Sequence, residues 1–162
     1  AAGEGADEGG PPARAALALA VAADGRHAEA AALAQPVADS PDAATYLDRA
    51  HALLALGLAA AAAGEREACD AWFSRARREI DDTDDVLTQA VVRLGLAQAL
   101  RHLGSEGAVW AQADADTRFA PMGVDAAGWS RLFALIAPDA TTDVPTSDAD
   151  GPAQEGRPVS SS

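Results

Sequence analysis

A chain of 162 residues, 49% of them hydrophobic, is long enough for one domain with a substantial core. Its formal net charge of −13, with arginine as the sole basic residue besides three histidines, argues against binding of phosphate backbones or anionic membranes. A single cysteine, Cys69, excludes an internal disulfide.

The charge is uneven: residues 1–10 carry Glu4, Asp7 and Glu8, and residues 138–162 hold five acids against Arg157, so about half of the excess lies near the two ends. Lys and Asn are absent and Ala is about a quarter of the chain, a bias that fits a high-GC bacterial genome. The opening AAGEGADEGGPP reads as a flexible tail, because a Gly-, Pro- and Asp-rich segment cannot bury enough surface to offset its ordering entropy. A start without Met reads as processing, or as a piece of a longer protein. No signal-peptide pattern and no long apolar run occurs, so a soluble cytoplasmic protein is expected.

Seven helices are expected, and no strand. The first follows Pro11-Pro12 and runs to about Ala23, before Asp24-Gly25. The second starts near Ala28 and should kink or end at Pro36, whose ring clashes with the preceding turn. Ser40-Pro41-Asp42 reads as a cap with proline at the first helical position, opening a third helix that stops at Gly64. A fourth covers about Glu65 to Ile80, and the acidic run Asp81 to Asp85 caps a fifth that ends near Leu103-Gly104. The sixth spans about Glu106 to Ala120 and is broken by Pro121-Met122-Gly123-Val124. The seventh, capped by Asp125, carries Trp129, Leu132, Phe133 and Ile136 on one stripe and ends before Pro138. Residues 138–162 form a second, acidic tail, which leaves 1–12, 13–137 and 138–162 as tail, domain and tail.

The phrase LGLA occurs at Leu56-Gly57-Leu58-Ala59 and again, at a shift of 38, at Leu94-Gly95-Leu96-Ala97. At the same shift Ala61 falls on Ala99 and Trp72 on Trp110. A fainter copy, Leu17-Ala18-Leu19-Ala20, lies upstream at a shift of 39, with Gly25 matching Gly64 and Leu33 matching Trp72. Self-similarity at such a period signals a stack of helix–turn–helix units. Two helices approach closely only where a side chain is missing, so Gly57 and Gly95 are expected to mark the tightest crossing of their hairpins.

These units resemble the tetratricopeptide repeat family, whose pattern is met by Leu56-Gly57, Gly64, Cys69, Phe73 and Ala76. The third copy matches at Leu94-Gly95 with its turn glycine at Gly104; the first has Ala18 for the helical glycine, and the usual closing proline is replaced by Asp81. The resemblance spans about residues 13–120 and implies an all-α, right-handed superhelix of three repeats, with the seventh helix as a C-terminal cap. The phrase MGVDAAGW before the last helix is similar to the ends of helical arrays in large actinobacterial regulators, including LuxR-type ATP-binding regulators and class III nucleotide cyclases.

No nucleophile–base pair, paired acid and base or phosphate loop assembles from the sequence, so no enzymatic activity and no cofactor are expected. His27, His51 and His102 lack helical partners for a metal and read as solvated or groove-lining side chains. Cys69 takes a small packed position, Trp72 and Trp110 take core positions, and Arg75, Arg77 and Arg78 complement the dipole at the end of their helix. The resemblance implies a concave groove lined by His51, Leu54, Ala55 and Leu58 in one unit and Gln89, Val92, Arg93 and Leu96 in the next. With Arg93 as its one cation, this groove suits an amphipathic helix or an apolar segment better than a terminal carboxylate. The expected function is a non-enzymatic scaffold within a bacterial signalling or transcriptional regulator, holding a peptide or another part of the same polypeptide; the alternative is a structural spacer or self-associating module.

Overall fold

A computed structural model describes residues 9–40 and 42–124, and every regular element among them is helical. The helices are α1 (Pro11–Ala23), α2 (His27–Ala38), α3 (Tyr46–Ala62), α4 (Arg66–Ile80), α5 (Val86–His102) and α6 (Gly107–Phe119), followed by a 3-10 turn at Ala120–Met122. The expected seventh helix, with Trp129, Leu132, Phe133 and Ile136, lies outside the described residues, as do residues 1–8 of the first tail and all of the second.

Three of the inter-helix turns are built alike. Gly25, Gly64 and Gly104 have φ of +77°, +76° and +64°, a left-handed backbone that glycine adopts without strain. In each turn the glycine N–H donates to the carbonyl three residues back and the next N–H reaches five residues back, as in Arg26 to Val21 (3.1 Å), Glu65 to Ala60 (2.9 Å) and Ser105 to Leu100 (2.8 Å). The same device therefore closes α1 onto α2, α3 onto α4 and α5 onto α6. Each of these pairs packs together, α1 packs on α3, and α3 packs on α5. Among the described residues no substantial packing joins α1 to α5 or α6, so contacts pass from hairpin to neighbouring hairpin without closing a ring.

The helix starts use side chains. Thr45 and Asp48 form a reciprocal cap on α3: the Asp48 N–H donates to Thr45 Oγ1 at 3.2 Å and the Thr45 N–H donates to Asp48 Oδ2 at 3.0 Å. Asp85 caps α5 by accepting from the Thr88 N–H and hydroxyl at 3.0 and 2.7 Å. Partial burial works against the Asp85 charge, but those bonds outweigh it and hold the carboxyl below its ordinary range. Ser40 is not the cap of α3 that its place before Pro41-Asp42 predicts: its hydroxyl donates back to the Pro36 carbonyl at 2.6 Å, closing α2. Pro36 does not end α2 either, which continues to Ala38.

The core runs along α3. Ala52 through Leu58 are buried without interruption, because α3 is enclosed by α1, α2, α4 and α5. Gly57 is the contact point inside the middle hairpin: a Cβ there would stand 2.5 Å from Cε2 of Phe73, a ring of α4 that is itself buried. The expected close crossing at Gly57 is thus present. Gly95 is buried as well, but capping sets a different register from the repeated phrase. The caps Thr45 and Asp85 stand at a shift of 40, and so do the turn glycines Gly64 and Gly104. Ala97, not Gly95, therefore stands at the distance from its turn that Gly57 holds; the two-residue difference is about 200° around a helix.

Candidate functional site

The side chains assigned to a concave groove lie mostly in the interior. Leu54, Ala55 and Leu58 of α3 and Val92 of α5 are fully buried, and Gln89 and Arg93 are nearly so; His51 and Leu96 are half-buried. Leu54, Ala55 and Leu58 are taken up in core packing between α3 and its four neighbours, so of the expected groove only the half-buried His51 and Leu96 keep exposed surface.

Arg93 illustrates the change of role. It is 3% exposed, and its guanidinium donates through Nε to Asp114 of α6 (2.7 Å), through one terminal nitrogen to Asp81 in the α4–α5 turn (2.7 Å), and through the other to the Gln89 carbonyl (3.0 Å). Gln89 in turn donates to the Ile80 and Thr83 carbonyls and accepts from Arg118. The cluster satisfies a buried charge and ties α4, α5 and α6 together. Arg49, the counterpart of Gln89 in the register of the caps, does comparable work in the middle hairpin, where it donates to the Ala44 carbonyl and pairs with Glu79 of α4 at 2.8 Å.

An open cleft lies between α2 and α4. It encloses about 500 Å³. His27, Ala28, Ala31 and Gln35 form the α2 wall, and Glu65 and Trp72 form the α4 wall. Its floor is the end of α3, where Ala59, Ala62 and Ala63 are too small to fill the space between the second helices. Arg75 holds the walls at this spacing. Its guanidinium donates to the Ala38 carbonyl at the end of α2 (3.1 Å), lies 3.9 Å from Asp39, and stacks 5.1 Å from the centre of the Trp72 ring. Arg66 makes the matching tie forward, donating to the Leu103 carbonyl at the end of α5 (2.8 Å).

The two tryptophans part company: Trp72 packs against the core as its repeat position predicts, and Trp110 does not. Trp72 is half-buried along the cleft, and Trp110 is 79% exposed on α6 next to Val109 at 72%. Three of the four buried residues of α4, Cys69, Ala76 and Ile80, recur with the same internal spacing in α6 as Ala108, Ala115 and Phe119, while the place of Phe73 is taken by the half-buried Gln112. In that register Trp110 takes the place of the exposed Ala71, on the outer face.

The remaining reactive side chains have settled surroundings. Burial pushes the Cys69 thiol up to about 11, so it stays protonated and packs as a small hydrophobe. His27 is held below its usual value by burial, with His102 as a like-charged neighbour, and its Nδ1 is enclosed without a hydrogen-bond partner. His51 is also lowered by burial, although Asp48 and Asp85 pull the other way. Among the described residues no three His, Cys, Asp or Glu side chains converge as a metal site, and no helix is long and apolar enough to cross a membrane.

Sequence reasoning missed the cleft because it looked for a groove on the first helix of each hairpin. The available signal was the run of alanines ending α3 opposite Ala28 and Ala31 of α2: facing small residues leave a gap unless the helices can close up, and Trp72 and Arg75 prevent that closure. Compared with known proteins, the chain matches no protein-family model, no curated protein and no solved structure.

Proposed function

We propose that this chain is a non-enzymatic helical-repeat scaffold of the tetratricopeptide-like, right-handed superhelical kind, which holds a protein segment in the α2–α4 cleft as part of a bacterial regulator. The observation that carries the reading is the threefold use of one glycine-closed turn, with hairpins packed in chain order and an apolar cleft left where consecutive second helices part. Such a repeat places its functional surface on an open face, and the segment bound belongs to a partner protein or to another part of the same polypeptide. The chain's negative charge opposes direct nucleic-acid or anionic-membrane contact.

The test is capture with a blocked cleft. Ala28 is exposed on the α2 wall, so Ala28→Trp fills the mouth without entering the core. Proteins retained from cell extract by the wild-type chain should be lost with this variant; equal recovery by both, or none by either, removes the reading. A second reading, a self-associating module, is favoured by the exposure of Trp110 and Val109 on α6. It requires a solution mass that rises with concentration and falls back in Trp110→Ser.

A further inference from the structure

Resting on the scaffold reading, we infer that the α2–α4 cleft takes a segment that pairs small or aliphatic side chains with a lysine or arginine, whose cation meets Glu65 at the mouth. The depth of the cleft is apolar: alanine methyl groups of α2 and α3 face the Trp72 indole, and a space of about 500 Å³ holds a few side chains. The guanidinium that packs on Trp72 is already spent. Arg75 covers one face of Trp72 while it is bonded to the Ala38 carbonyl and set against Asp39.

The mouth has the opposite balance. Glu65 is exposed at the start of α4 and caps nothing with its side chain; among the described residues its carboxylate has no hydrogen-bond or ion-pair partner. Arg26, next to the cleft-lining His27, is already shared between Asp24 and Glu29, and Arg66, next to Glu65, donates to the Leu103 carbonyl. Burial, with His102 as a like-charged neighbour, also disfavours a charge on His27. The α4 N-terminus offsets only about half a charge. A carboxylate beside a wall of alanines acts through less water than one on an open surface, so a cation delivered on an apolar stem is drawn to it and an acidic segment is repelled.

The experiment uses the full chain, immobilised, and a displayed library of random peptides. Selected peptides should carry lysine or arginine within one turn of alanine, valine or leucine. Their binding should weaken about three- to tenfold in Glu65→Lys, weaken further at high salt, and disappear in Ala28→Trp. Glu65 is a solvent-facing side chain, so its replacement leaves the fold intact, and matching melting curves verify this for both variants. Peptides that require an open cleft but show no basic preference, or ignore Glu65→Lys, overturn this inference and leave the scaffold reading standing. Peptides indifferent to Ala28→Trp, or no selectable peptide at all, overturn the cleft itself.

Discussion

Gly57 and Phe73 set the spacing of the middle hairpin between them. In an ordinary helix interior alanine is better than glycine by about 0.5–1 kcal/mol. Here the added methyl would stand 2.5 Å from an aromatic carbon of Phe73, and that ring is 1% exposed and has nowhere to go. Gly57→Ala is therefore expected to destabilise by about 1–3 kcal/mol, and Gly57→Leu by more. Combining Gly57→Ala with Phe73→Leu should recover part of the loss, since the smaller side chain makes room for the methyl. Urea melts of the two single variants and the double settle the point; a Gly57→Ala chain as stable as wild type would show that the crossing is not tight. In the first hairpin the equivalent places are Ala18 and Ala34, both buried, so a small pair there replaces the glycine–phenylalanine pair.

At the scale of elements, the hairpins are joined by side chains that reach from one helix to the end of another. Arg75 and Arg66 meet the carbonyl-rich ends of α2 and α5, and Arg93 meets acids from the α4–α5 turn and from α6. A cation at a helix C-terminus is favoured by the dipole as well as by the bond. Arg93→Met keeps the apolar volume and removes the charge, leaving Asp81 and Asp114 without their shared partner. Both carboxylates are partly exposed, at 37% and 47% of the side chain, and can regain water, so the cost is expected at about 1–3 kcal/mol and not at the higher figure of a fully buried pair. The loss should be one of stability with no specific loss of partner capture, measured by denaturant melts beside pull-down at equal folded concentration. Unchanged melting would show that the cluster contributes no net stability.

For the whole molecule, two half-buried imidazoles make stability depend on pH. His27 and His51 are both held below 6.5 in the fold, chiefly by burial, while in the unfolded chain they return to about that value. Between the two values the unfolded chain binds more protons, so stability rises with pH through the window. Their full contribution is present above about 6.5 and is lost as pH falls through the lowered native values. The wild-type melting temperature should therefore drop more between pH 7.5 and pH 5.5 than that of His51→Gln, and parallel slopes would remove His51 as a source. At the same scale, stacking rather than ring closure leaves the second helices free to part, and the cleft is the result.

Helix positions were legible in the sequence because their causes are local. Proline at the start of α1, the glycines at 25, 64 and 104, and the acidic run before α5 act within a turn or two of chain, and the observed elements follow them closely. The close approach at Gly57 was legible too, since a missing side chain in an apolar run has few other uses. At the start of α3 the sequence misled: Ser40 before Pro41 reads as the cap, yet the reciprocal bonds of Thr45 and Asp48 start the helix. Tertiary structure alone decided which faces are covered. Burial is a property of neighbours far apart in the chain, and α3, packed against four helices, keeps open chiefly the alanine-rich end that floors the cleft. The repeated letters set a period of 38, while bonds at the turns and caps set 40, and that small difference moves a side chain to the other side of its helix.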